Sequence, residues 1–313
     1  MSSNMIESVV SLPVINPETG GVSRSFRYMG KVDRVDGRRL IDWKSTSDPD
    51  RFIREKRIGL QPYLYALALQ AAGIEIDEIE YRLVTVPTIR LCGKDEKAAV
   101  EQPEPPEYFY EKRCIEWLES NPMNLREHVL ILNPGRIDKA RQLLWDCGKR
   151  VLDCRQRATW LPNEFACFTW NQPCEYIGLC ELIADGVDHA PTINAEFESC
   201  DRHPEIKQND RSVLTASSIA LLRLCEAKYF WHYELGIRPR LDYFEARWIG
   251  SAMHVGLEAV GKGQNGNAAI EKWSKENPAI GEGVRYVEQQ IAKARAMVHV
   301  AEEKWEAITT KGT

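Results

Sequence analysis

Hydrophobic and polar residues alternate over Val9–Val14 and again over Ser25–Val35, with the turn-forming stretch Pro17-Glu-Thr-Gly-Gly21 between them. That period of two predicts a pair of antiparallel strands. Asp36-Gly37 marks a tight turn, and Arg38-Arg-Leu-Ile-Asp42-Trp-Lys44 then reads as a short buried-ended strand closing a hairpin. The period changes at Leu60, Leu64, Leu67 and Ala71, which predicts a helix from about Arg57 to Ala72. Glu78–Val86 returns to a strand pattern. Helices are expected near Pro106–Glu119 and Ile137–Arg157, and Gly93–Pro106 reads as a charged, proline-bearing loop. Residues 211–313 are almost wholly helical in pattern. The expected fold is α/β, a mixed central sheet flanked by helices, with a helical portion contributed by the C-terminal third.

Composition adds limits. The chain has 313 residues, 43% hydrophobic and 28% charged, enough for one large domain or two small ones. No run approaches the roughly 18 apolar residues that span a bilayer. The N-terminus lacks the basic start and apolar core of a signal peptide, so a cytoplasmic protein without a membrane partner is expected. A net charge of −5 excludes a global polyanion binder. Nucleic-acid binding would need a local basic surface, and Arg24, Arg27, Lys31, Arg34, Arg38 and Arg39 crowd around the hairpin.

The hairpin also carries the candidate chemistry. Asp33 and Asp42 lie on neighbouring strands and can converge on one point. Lys44, two residues beyond Asp42, leaves the same face. Two carboxylates and a cation suit a hard divalent ion and a water attacking a phosphodiester. An Asp-x-Lys alone is common on solvated hairpins, but a helix follows on which Gln61 and Tyr65 stand one turn apart. Gly30-x-x-Asp33, Asp42-x-Lys44 and Gln61-x-x-x-Tyr65, in that order, resemble the PD-(D/E)XK nucleases of the RecB and AddB type.

The resemblance implies a restriction-endonuclease-like core and a metal-dependent DNA nuclease, an exonuclease acting on single-stranded DNA or free ends. Repair, recombination or phage DNA processing is the implied setting, with a helicase or recombinase as a further partner. Asp33 and Asp42 would hold Mg²⁺ or Mn²⁺, joined by the Trp43 carbonyl. Lys44 would orient or help deprotonate the attacking water, and Gln61 and Tyr65 would position the DNA backbone or the catalytic strand. The alternatives are a catalytically inactive iron–sulfur DNA-binding subunit, or a truncated nuclease that needs a partner chain.

Nine cysteines, an odd number, argue against a complete disulfide framework. Cys92, Cys114, Cys147, Cys154 and Cys200 stand singly and read as small buried hydrophobes. Cys167, Cys174 and Cys180 crowd into a loop-rich stretch that could wrap a metal centre. Cys225 is the best fourth ligand, on a helix where Leu222, Cys225, Tyr229 and Tyr233 would share a face. The tight Cys-x-x-Cys knuckle usual for zinc is absent. The wider spacing is similar to the iron–sulfur staple of AddB-type nucleases and the CRISPR-adaptation nucleases, which implies a [4Fe–4S] cluster, with zinc as the alternative.

The order of the pieces is unusual for that family. Leu214–Pro239 and Trp248-Ile-Gly250-Ser-Ala-Met-His254-Val-Gly-Leu-Glu258 look like segments that begin such nucleases, the second containing a histidine metal ligand. Gly250, His254 and Glu258 line one helix face, where a small residue lets another element approach. Glu258 is expected to form a salt bridge and not to be a direct ligand. The expectation is a circular permutant, or less simply two incomplete copies. Residues 1–180 would carry the core motifs and cysteine triplet, 181–210 a connector, and 211–313 the helical completion of the same domain. Met1 and Thr313 should then lie close together.

Overall fold

Val10, Leu12 and Val14 point inward from β1 (Met5–Ile15), and Phe26, Tyr28 and Val32 from β2 (Val22–Asp36). The alternation sets the register, with Ser8 opposite Val32 and Leu12 opposite Tyr28. These coordinates, a computed structural model, describe residues 5–169, 172–240, 245–277 and 284–309. The next turn centres on Gly37, whose φ of 60° a side chain would resist, and it pairs Asp36 with Arg39 as β3 (Arg39–Thr46) begins.

α1 (Pro49–Ile58) and α2 (Gln61–Ala71) then cross over to β4 (Glu78–Thr85), which lies parallel to β3. Nearly every residue of β4 is buried, as befits an inner strand covered on both faces. α3 (Gly93–Glu101) and α4 (Pro106–Glu119) lead to β5 (Leu125–Ile131), antiparallel to β4, and α5 (Pro134–Arg157) follows.

A two-residue ladder, β6 (Phe168–Thr169) with β7 (Gln172–Pro173), precedes α6 (Ile177–Ala184) and α7 (Ala190–Glu196). β8 (Phe197–Ser199) pairs with a later strand, and β9 (Val213–Leu214) joins β2 in parallel at Arg27 and Tyr28. α8 (Ala216–Leu224) and α9 (Glu226–Tyr229) run into a π-helical stretch, Phe230–Leu235, and β10 (Ile237–Pro239) pairs with β8. α10 (Glu245–Gly261), α11 (Gly266–Glu276) and α12 (Val284–Thr309) complete the chain.

Three layers result. One face of the sheet carries Leu64 and Leu67 of α2, Leu144 and Val151 of α5, and Ile219 and Leu222 of α8. The other carries Tyr110 and Leu118 of α4, Met253 of α10, Ile270 of α11, and Met297 and Trp305 of α12. The mixed sheet flanked by helices is the fold class that the sequence pattern predicts.

Four local expectations are corrected. The helix expected over Arg57–Ala72 is two helices, because Gly59 turns extended (φ −65°, ψ 155°) and Pro62 sits in the first turn of α2, where its missing N–H costs nothing. The expected loop Gly93–Pro106 contains α3, whose start is capped by Asp95 accepting from Cys92 N at 2.8 Å. The helix expected through Cys225 breaks there: at φ −162°, ψ 123° this residue ends α8 and opens α9. The C-terminal third also contains the short strands β9 and β10. No described helix is long and apolar enough to cross a membrane.

Candidate active site

Three neighbouring strands bring three carboxylates into a row. Ile6 opposite Arg34 and Ser8 opposite Val32 put Glu7 across from Asp33, and Arg34 opposite Ile41 puts Asp33 next to Asp42. Glu7 interrupts the β1–β2 ladder with a φ of 47°, a left-handed conformation that costs a glutamate energy and that accumulates at functional sites. Asp33 Oδ2 accepts from Trp43 N at 2.7 Å, which fixes the carboxylate between the strands.

α10 lies across this row. A Cβ on Gly250 would come 2.8 Å from Ser45 Oγ, so the glycine allows the helix to settle against β3. One turn on, His254 Nδ1 stands 3.9 Å from Asp33 Oδ2. Ligand atoms of Glu7, Asp33 and His254 all lie within 4.8 Å of one another. Sequence reasoning missed Glu7. Asp42, expected as a ligand beside Asp33 and His254, falls outside that group. It sits in ion-pair contact with Lys44 Nζ at 2.9 Å, and its buried Oδ2 has no hydrogen-bond partner of proper geometry. Lys44 Nζ donates to the Trp43 carbonyl at 3.0 Å, so that oxygen, also expected as a ligand, is engaged here.

Burial sets the protonation states. It pushes the His254 imidazole down to about 3, aided by Lys44, so the ring is neutral and can act as a ligand. Burial raises both Asp33 and Asp42, and Lys44 pulls each back. Burial works against the Lys44 charge, yet Asp42 and Asp33 hold this ammonium protonated well beyond the usual lysine range.

Burial, and then Asp33, lift Glu7 to about 7, although Lys31 forms an ion pair with it. A carboxylate raised from 4.5 to about 7 binds its proton more tightly in the folded state. Stability from this group is therefore complete below about pH 4.5 and lost as pH rises through about 7. Thermal melts in chelator should show a Tm that falls across that window, and Glu7→Gln should flatten the fall. An equal slope in the variant would place the titration elsewhere.

The surrounding contacts hold the row in place. Lys31 bridges Glu7 and Glu258, the second at 3.2 Å, and Lys262 also pairs with Glu258. Glu258 thus forms salt bridges, as the sequence suggested. Gln61 Nε2 donates to Tyr65 OH at 3.0 Å, and a Cβ on Gly30 would come 2.7 Å from Tyr65 Cε1. Ile6 and Glu7 near the start of the chain line one small cavity with Glu302 and Trp305 near its end. Trp305 meets Trp43 edge-on at 4.8 Å. Met1 and Thr313, whose proximity was expected, lie outside the described residues.

The four cysteines share a neighbourhood just beyond the C-terminal end of α5. Asn163 N donates to Cys225 Sγ at 3.3 Å, the Cys167 thiol donates to the Asn163 carbonyl at 3.5 Å, and Cys174 N donates to the Cys167 carbonyl at 2.7 Å. Cys180, on α6, has its thiol raised by burial, with Cys225 and Cys167 adding to the rise. Tyr176, Leu179, Phe197 and Trp231 form a small apolar cluster against Cys174 and Cys180. Cys114, Cys147 and Cys154 are buried, whereas Cys92 and Cys200, expected with them, are half-buried.

Adjoining strands of a mixed sheet thus carry carboxylates and a lysine, and α10 lays a histidine against them, a donor set chemically suited to a divalent ion. The sequence profile of the PD-(D/E)XK nuclease superfamily matches residues 6–181 and 213–311, and the chain belongs to that superfamily. Its members are nucleases that usually work with Mg²⁺ or Mn²⁺ and bind nucleic acid. No curated protein matches the sequence.

Proposed function

We propose that the chain is a metal-dependent deoxyribonuclease of the RecB/AddB exonuclease type in circularly permuted order. The observation that carries this reading is the row Glu7–Asp33–Asp42, flanked by His254 on one side and Lys44 on the other. Oxygen-rich ligands with one imidazole suit Mg²⁺ or Mn²⁺, and the imidazole favours Mn²⁺. Glu7, Asp33 and His254 would hold the ion, and Asp42, whose Oδ2 pairs with Lys44, would join as a further ligand. Such an ion supplies Lewis acidity and a more acidic water.

The chain's own groups do the rest. Lys44, held cationic by Asp42, is placed to stabilise charge developing on the phosphate, and its firm protonation argues against its acting as a base. Asp33 ties the Trp43 backbone to β2 and so keeps Asp42 and Lys44 aimed at one point. End-labelled single- and double-stranded DNA with Mn²⁺ should be shortened from free ends. Intact label, or cutting only in closed circles, would contradict the exonuclease reading.

Permuted order is supported by α10 packing its histidine against strands that precede it by some two hundred residues, and by Ile6 and Glu7 lining one cavity with Glu302 and Trp305. The cysteines are proposed to hold a [4Fe–4S] cluster that ties α8 and α9 to the segment after α5. In support, Cys225 and Cys167 meet at Asn163, Cys180 lies close enough to both to feel their charge, and Cys174 lies close to Cys180. Protein purified without oxygen should be brown with about four irons per chain. Cys174→Ala or Cys225→Ala should remove the colour and lower the Tm. Stoichiometric zinc without iron would decide for zinc.

A further inference from the structure

We infer that Lys56 is a positioning residue that sets the direction of a hydrogen-bond relay, Lys56 to Gln61 to Tyr65, so that the Tyr65 hydroxyl donates to a non-bridging oxygen of the bound phosphodiester. This rests on the nuclease reading above and extends it to a residue outside the recognised motifs. Lys56 lies in the last turn of α1, and its Nζ donates to Gln61 Oε1 at 2.7 Å. The extended backbone at Gly59 breaks the helix and lets the side chain reach back to the first residue of α2. The Lys56 ammonium also stands 5.2 Å from the centre of the Phe52 ring, which helps hold it.

The direction follows from donor chemistry. An ammonium has hydrogens and no acceptor, so the amide of Gln61 must turn its oxygen to Lys56. Its nitrogen then faces Tyr65, and the tyrosine oxygen accepts at 3.0 Å. That contact uses a lone pair and leaves the hydroxyl hydrogen free to point elsewhere. Among the described residues no acceptor meets it. Asp42 and Lys44 are charged groups whose fields bear on both Lys56 and Tyr65, so the relay ends beside the catalytic strand. A phosphate, rich in acceptors, is the group that completes it.

The test uses the full chain, end-labelled DNA and Mn²⁺, and reads kcat, KM, DNA affinity and Mn²⁺ affinity separately. Lys56→Met keeps the length of the side chain and removes its donors. Gln61→Glu keeps the Lys56 contact but cannot donate to Tyr65, so the hydroxyl hydrogen would turn back to the carboxylate. Each of these, and Tyr65→Phe, should lower kcat about tenfold with Mn²⁺ affinity unchanged, and Lys56→Arg should restore most of the rate. The double variant Lys56→Met/Tyr65→Phe should lose no more than Tyr65→Phe alone, because both act on one hydrogen bond. A wild-type rate in Lys56→Met or Gln61→Glu, or additive losses in the double variant, would overturn the relay. A wild-type chain that leaves DNA uncut would instead overturn the nuclease reading beneath it.

Discussion

Asp33→Asn is expected to lower DNA cleavage by about a thousandfold or more while the protein stays folded. The amide oxygen still accepts from Trp43 N, so the link between β2 and β3 survives. What disappears is the charge at the centre of the carboxylate row, shared by the groups around Glu7 and His254. Mn²⁺ affinity should fall together with the rate, and the Tm in chelator should hold or rise, since a buried charge has been removed. Calorimetric Mn²⁺ titration and a melt on the same sample separate the two effects. Activity near wild type would remove Asp33 from the site.

Lys44→Met should separate rate from metal binding in the opposite way. Its ammonium pairs with Asp42 and, among the described residues, forms no ion pair with Glu7 or Asp33. A loss of kcat of about a hundredfold or more, with Mn²⁺ affinity kept or raised, is the expected outcome. The variant also leaves Asp42 buried without its cation, and a buried carboxylate stripped of its partner takes up a proton or destabilises the fold. Its metal-free Tm should therefore drop more at pH 8 than at pH 5, and Mn²⁺ should recover it. Equal melting at both pH values would mean that Asp42 has another counter-charge.

β1 and the first part of β2 were legible because their burial alternates with a period of two, and Asp42 and Lys44 keep strand spacing on β3 although β3 itself buries Leu40, Ile41 and Asp42 in succession. Gln61 and Tyr65 were legible through their one-turn spacing, which survives the unforeseen break at Gly59 because both lie beyond it. His254 was read only through its sequence context, since nothing local says which strand a helix will cross. Glu7 was hidden for a physical reason. It sits where β1 leaves regular pairing, and a left-handed residue aims its side chain outside the alternation that identifies a strand. A lone acidic residue just before the first alternating run was the only trace it left.

The break at Cys225 was hidden too. Leu-Arg-Leu-Cys-Glu-Ala-Lys-Tyr has no glycine or proline, and the break is held by tertiary contacts. Asn163 reaches Cys225 Sγ with its backbone N–H and the Leu224 carbonyl with its amide, while Glu226 accepts from Leu161 N. Such contacts come from residues distant in sequence, which periodicity cannot register. α3 was overlooked because its cap is a cysteine backbone satisfied by Asp95, and not a serine, threonine or asparagine.

The central claim is that Glu7, Asp33 and His254 of one chain hold a single divalent ion beside Asp42 and Lys44. Anomalous diffraction from crystals soaked in Mn²⁺ tests it most directly. One strong peak is expected at roughly 2.1 Å from a carboxylate oxygen of Asp33 and from a ring nitrogen of His254, with Glu7 in the same coordination shell. A peak held by other residues, or by His254 of a neighbouring molecule, would contradict it.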